Sequence, residues 1–149
     1  MRSAAPGEKT MKELIWDEKY AIGIEEIDRQ HMEFMRLLRR FNLGIQKAAP
    51  VSVQLRILEE LAKYAEYHFC SEENIMTFTK YPEVSAQQAE HARLRNRLDA
   101  KASAYKRSPE TGTQLSDFLY DWFVHHTQVE DRKIAAFLHG KMQLSKAAD

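Results

Sequence analysis

Residues 24–45 read IEEIDRQHMEFMRLLRRFNLGI, and within them Ile24, Ile27, His31, Phe34, Leu38, Phe41 and Ile45 recur three and four apart. Such spacing lines one face of an α-helix, because about 3.6 residues complete a turn. His31 falls in the middle of that apolar stripe, where an imidazole needs a partner to offset the loss of water.

Outward from this helix the pattern repeats. Lys47 to Val51, with Pro50, interrupt it, and a second run follows with Leu55, Leu58, Leu61, Ala65, His68, Phe69, Glu72, Ile75 and Met76. That run ends near Lys80, Tyr81 and Pro82. Ser85 and Gln88 have the spacing of a capping box and predict the start of a third helix, striped by Gln87, His91, Leu94, Leu98 and Tyr105. Ser108 to Gly112 read as a turn. Thr111 with Gln114 is the expected cap of a fourth helix carrying Leu115, Phe118, Leu119, Trp122, His126, Val129 and Ile134. No stretch alternates with the period of two that a strand requires. The expected fold is all-α, an antiparallel up-down four-helix bundle. Its divisions are an N-terminal arm and irregular segment (1–23, with Trp16 and Tyr20), the bundle (24–139) and a C-terminal tail (140–149).

Composition narrows the function. A chain of 149 residues suits one domain with a substantial core, and 44% apolar content is ordinary for one. Twenty-two basic residues balance twenty-two acidic ones, which gives no electrostatic footprint for nucleic acid or an acidic membrane. No apolar run approaches the roughly 18 residues of a membrane span, and Met1 to Lys9 lack the apolar stretch of a secretory signal. Cys70 is the sole cysteine and has no internal partner for a disulfide, so the expectation is a reducing, cytoplasmic setting.

Each helix carries polar groups on the face that should be dry: His31 on the first, His68 and Glu72 on the second, Gln87 and His91 on the third, His126 and Asp131 on the fourth. One such histidine is ordinary core. Four imidazoles and two carboxylates converging in one core would cost several kcal/mol per ion to desolvate, on the order of what a bound cation removes. Imidazole with bridging carboxylate suits a dinuclear first-row metal pair, and the lack of clustered cysteines argues against structural zinc or an iron–sulfur cluster.

The motifs Ile27-Asp28-Arg29-Gln30-His31, His68-Phe69-Cys70-Ser71-Glu72-Glu73, Gln87-Gln88-Ala89-Glu90-His91 and Trp122-Phe123-Val124-His125-His126 with Asp131 resemble the hemerythrin family in its single-domain bacterial form, from about Trp16 to Asp131. The resemblance implies a hemerythrin-like bundle with two iron ions. One would be held by His31 and His68, the other by His91 and His126, with Glu72, Asp131 and a solvent-derived oxygen as bridges. It further implies that dioxygen, or a related small diatomic, binds at the open position of the two-histidine iron. A carrier, store or sensor is therefore expected more than an enzyme; no protein partner is indicated. The aromatic residues Phe34, Phe69, Trp122 and Phe123 adjoin these positions and would enclose the ligand, with Phe123 narrowing a space where the family often has leucine. Glu73 would hydrogen-bond a histidine from outside the centre.

Two features strain the match. His126 and Asp131 are five apart, about 140° around a regular α-helix, so a π-bulge is expected between them, with Glu130 a solvated neighbour. Position 87, where the family places a histidine, is Gln87. Its oxygen could bind the metal, a water could fill the place, or Gln87 could hydrogen-bond such a water. A loosened second site would favour turnover of peroxide or nitric oxide over storage. His125 and His139 are set aside as lying off the site, and Cys70 is read as a structural thiol beside the ligand face.

Overall fold

The structure, a computed structural model, describes residues 15–148, with side chains through residue 141. The expected arm over 1–14 lies outside the described residues, as does residue 149. Four rods form the bundle: α1 (Glu25–Gln46), α2 (Val51–Thr79), α3 (Val84–Arg107), and a composite fourth rod. The fourth consists of α4 (Gly112–His125), a π turn (His126–Glu130) and α5 (Asp131–Ala148). Among the described residues there is no strand. Helix α5 continues unbroken past residue 139, where the tail was expected to begin.

The order of packing is that of an up-down bundle: α1 lies against α2 and α4, and α3 against α2 and α4. The core runs along the axis through Phe34, Leu38, Phe41, Leu58, Leu61, Leu94, Leu98, Leu115, Leu119 and Phe123. Fully burying such side chains is worth roughly 1.5–3 kcal/mol each. Where α1 meets α2, Gly44 leaves room for the side chain of Gln54. A Cβ on Gly44 would lie 2.0 Å from Gln54 Oε1, and that buried amide donates to Phe41 O at 2.7 Å.

The segment before α1 is anchored. A 3₁₀ turn, Glu18–Tyr20, buries Tyr20 with its ring centroid 6.5 Å from that of Phe123. Asp28 then accepts from Ile22 N–H at 2.8 Å and Gly23 N–H at 3.2 Å, so the approach to α1 is tied to its first turn.

Both expected capping motifs are corrected. Helix α3 begins at Val84 with Glu83 at its cap and no side-chain bond there. Glu83 O already accepts from Gln87 N–H at 3.0 Å, so Ser85 has helical backbone and lacks the extended geometry a cap needs. Thr111 sits in the 3₁₀ turn Pro109–Thr111, and its hydroxyl donates back to Ser108 O at 2.7 Å instead of capping α4.

Candidate metal centre

The polar residues of the four stripes meet at one end of the bundle, where α1 and α3 begin and α2 and α4 finish. His31, His68, Glu72, His91, His126 and Asp131 are each at most 3% exposed. Around Asp131, its Oδ2 lies 2.8 Å from His31 Nε2 and 3.6 Å from His68 Nε2. Glu72 Oε1 is in close contact with His68 Nε2 and lies 3.0 Å from His126 Nε2. His126 Nε2 is 3.2 Å from Asp131 Oδ1 and 3.3 Å from His68 Nε2.

Two overlapping donor sets emerge. One ligand atom each from His31, His68, Glu72 and Asp131 lie within 4.8 Å of one another, and so do those of Glu72, His91 and His126. Glu72 belongs to both. Asp131 also touches His126, so both carboxylates stand between the two halves.

The π turn makes this meeting possible. Asp131 N–H donates to His126 O, five residues back, and the wider turn carries Asp131 onto the face that His126 occupies. Widening a turn frees carbonyls, and buried Thr127 supplies the missing donor to Phe123 O at 2.9 Å. The same change of phase turns Val129 outward to 39% exposure, although regular helical counting puts it on the stripe.

Gln30, to which the sequence reading gave no role, orients His68. His68 Nδ1–H donates to Gln30 Oε1 at 2.8 Å, and Gln30 Nε2 donates to Ser71 Oγ at 3.0 Å. The bond leaves His68 Nε2 as the nitrogen facing the carboxylates. Its signal was a second polar residue beside His31 on the buried side of α1. Glu73 approaches His91 Nδ1 at 3.5 Å from a partly exposed position.

Electrostatics favour positive charge at the centre. Burial opposes a proton on His68, but Glu72 and Asp131 outweigh it and push the imidazole up to about 10. Burial likewise opposes charge on His126, which Asp131 and Glu72 nonetheless raise. The carboxylate of Glu72 is resisted by burial and yet held well below its ordinary range by His68 and His126. His91 is driven down to about 3 by burial and by His126, and His31 is lowered by burial against the pull of Asp131. Two carboxylates thus draw protons onto two rings, while two others stay neutral with lone pairs available. Buried His91 Nδ1 and Nε2, His31 Nδ1 and Glu72 Oε2 have no hydrogen-bond partner among the described residues. Unpaired buried donors and acceptors are costly, and a cation would satisfy one nitrogen of His91 together with Glu72 Oε2. The residues fit a metal pair.

The aromatic shell divides into two parts. Phe69 stacks on His91 with centroids 4.0 Å apart, and Trp122 stacks on His126 at 5.5 Å. Both also border an apolar cavity of about 20 Å³ shared with Ala65, Leu94, Leu98, Phe118 and Leu119. Phe34 and Phe123 stack on each other at 5.7 Å, with Phe123 edge-on to His31. His125 is exposed, His139 lies near Gly23 O at 3.5 Å, and Cys70 is a free, exposed thiol.

Glu130 also departs from expectation. Gln87 is 3% exposed and its Nε2 donates to Glu130 Oε2 at 2.8 Å, which makes Glu130 a bonded neighbour of the site rather than a solvated one. Beside them a groove of about 390 Å³, lined by Glu90, Asp121, Trp122, His125, His126 and Glu130 among others, leads from the surface to His126.

Fold and centre together define a class, the helical-bundle proteins that bind cations through buried histidines and carboxylates. Residues 22–138 match the model of the hemerythrin HHE cation binding domain, and the chain belongs to that family. Its centre is accordingly of the non-haem iron kind. The chain is similar to the bacteriohemerythrin of Pseudomonas paraeruginosa (strain DSM 24068 / PA7), 28% identical over 140 residues that cover 91% of this chain and 89% of the relative. The bacteriohemerythrin of Stenotrophomonas maltophilia (strain R551-3) is 26% identical over 125 residues, 82% of this chain and 79% of its own. That of Clostridium acetobutylicum is 23% identical over 125 residues, 80% of this chain and 96% of its own. Among the described residues no helix is long and apolar enough to cross a membrane.

Proposed function

We propose that this protein is a non-haem di-iron protein that binds dioxygen as a carrier, store or sensor. His31 and His68 hold one iron, His91 and His126 the other, and Glu72 and Asp131 bridge them together with a solvent-derived oxygen. The observation that supports this most is the pair of buried donor sets sharing Glu72. Iron supplies the electrons and the coordination position that a diatomic needs. The chain's own part is to place and shelter. Gln30 holds His68 in one tautomer and Asp131 meets His31 from the wide turn, while Phe34, Phe69, Trp122 and Phe123 crowd water from the imidazoles.

Anaerobic loading with ferrous iron, followed by iron analysis and an absorption spectrum under dioxygen, tests the reading. Two irons per chain and a long-lived oxygenated spectrum are expected; a folded chain that takes up no iron defeats it.

A second reading, a di-iron enzyme acting on peroxide or nitric oxide, draws support from Gln87 and from the groove that reaches His126. Stopped-flow mixing of the ferrous protein with dioxygen separates the two. Rapid oxidation with released peroxide favours the enzyme, and a persistent oxygenated form favours binding.

A further inference from the structure

Gln87 stands one turn before His91 on α3, and it bonds to Glu130, one turn after His126 on the fourth rod. Both groups therefore lie about one turn beyond the two imidazoles of the second donor set, toward the end of the bundle where α3 begins. A carboxylate accepts hydrogen bonds and has none to give, so the 2.8 Å contact with Glu130 Oε2 has to be made by the NH₂ end of the amide. The carbonyl end is left over. Gln87 Oε1 is buried and has no hydrogen-bond partner among the described residues, a state it shares with both nitrogens of neighbouring His91 and with Glu72 Oε2.

Glu130 is itself held. Its other oxygen, Oε1, lies 3.7 Å from Lys133 Nζ and 3.9 Å from His125 Nε2 at the edge of the groove, which leaves Oε2 to Gln87. The chain Lys133, Glu130, Gln87 thus runs inward from solvent and ends in an unsatisfied carbonyl oxygen.

We propose that Gln87 binds the second cation through Oε1 and that Glu130 is its positioning residue, locking the amide with nitrogen outward and oxygen inward. This rests on the di-iron reading above and assigns to it a donor and an outer support. Carboxylate-to-ligand bonds of this kind commonly orient imidazoles at metal sites, and here the oriented group is an amide. A neutral oxygen is a weaker donor to iron than imidazole, so the second cation is held more loosely than a histidine at position 87 would hold it.

Glu130→Gln tests the role with little change in shape. A glutamine at 130 can donate as well as accept, which lets Gln87 turn over and present its NH₂ group to the cation. The metal-depleted full chain is titrated anaerobically with ferrous iron against a competing chelator, and thermal melting without metal checks that the fold is kept. The wild type is expected to bind two irons. Glu130→Gln should weaken one of the two sites about tenfold or more, the range typical of removing such a support, and leave the other unchanged. In a Gln87→Ala background the same substitution should change nothing beyond about twofold, because the amide it orients is gone.

Both iron affinities in Glu130→Gln within twofold of wild type overturn the proposal, as does an undiminished effect of Glu130→Gln in the Gln87→Ala chain. Both of those results leave the di-iron reading standing. A wild-type chain that binds no iron removes that reading and this proposal with it.

Discussion

A buried imidazole binds a cation better when its other nitrogen is committed elsewhere, and His68 shows the commitment in its 2.8 Å bond to Gln30. Gln30→Ala should weaken iron binding about tenfold or more with little change in helix content, read by chelator competition beside circular dichroism. Unchanged affinity would mean that packing alone orients the ring. Gln87→His bears on ligand chemistry. Replacing the amide with an imidazole should strengthen the second site and slow the decay of the oxygenated spectrum, and an equal decay rate would exclude position 87 as its cause. At this scale the convergence of six groups was legible, because a histidine or carboxylate on an apolar stripe violates the pattern around it. Gln30 and Glu130 were harder to read. The importance of each depends on a partner from another rod, Ser71 and His68 for one and Gln87 for the other, and spacing within one helix carries no such information.

The element that most shapes the centre is the π turn between α4 and α5. Once the family resemblance selects Asp131 over Glu130, counting around a regular helix demands the turn, since Asp131 is otherwise on the wrong side, so this feature was readable in the sequence as a mismatch. The helix starts were not, because Ser85 and Thr111 have capping spacing and yet lie where a carbonyl two or three residues earlier had already been engaged. The π turn holds one residue more than an α-helix would need to bring His126 and Asp131 to the same face. Deleting exposed Val129 should therefore give a regular helix in which Asp131 and the α5 stripe keep their direction, with iron content retained. Inserting one alanine after Glu130 adds to the excess and turns Asp131 away, and iron binding should fall to one ion per chain or none. Iron analysis of the two purified variants decides the matter; loss in the deletion variant and retention in the insertion variant would reverse the argument.

For the whole molecule, the charges at the centre set how stability depends on pH. His68 moves from 6.5 to about 10 on folding and His126 is also raised, so their stabilisation is complete below 6.5 and is lost as pH climbs through the folded values. His91, lowered from 6.5 to about 3, and His31, also lowered, stay neutral in the folded chain and penalise it increasingly as pH falls below 6.5. Glu72, held well below 4.5, contributes stability above that value and loses it on further acidification. The metal-free protein should thus melt highest near pH 6.5 and lower on both sides. Iron displaces the proton of a coordinating ring, so the alkaline decline should vanish in the loaded protein. Melting curves from pH 5 to 9 with and without iron check this, and a metal-free melting temperature still climbing at pH 9 would contradict it. The wide turn couples distant parts of the bundle in another way. Beyond it, Ala135 packs with Ile22 and Ile27, and Ile134 with Met76 and Tyr81. Tightening the turn to ordinary helical pitch without shortening the chain would swivel the whole of α5 about its axis by roughly 100°, the angle of one residue. That rotation would withdraw Asp131 from the other donor groups and prise Ile134 and Ala135 from their seats together, so metal retention and the docking of the C-terminal helix rise and fall as a single latch.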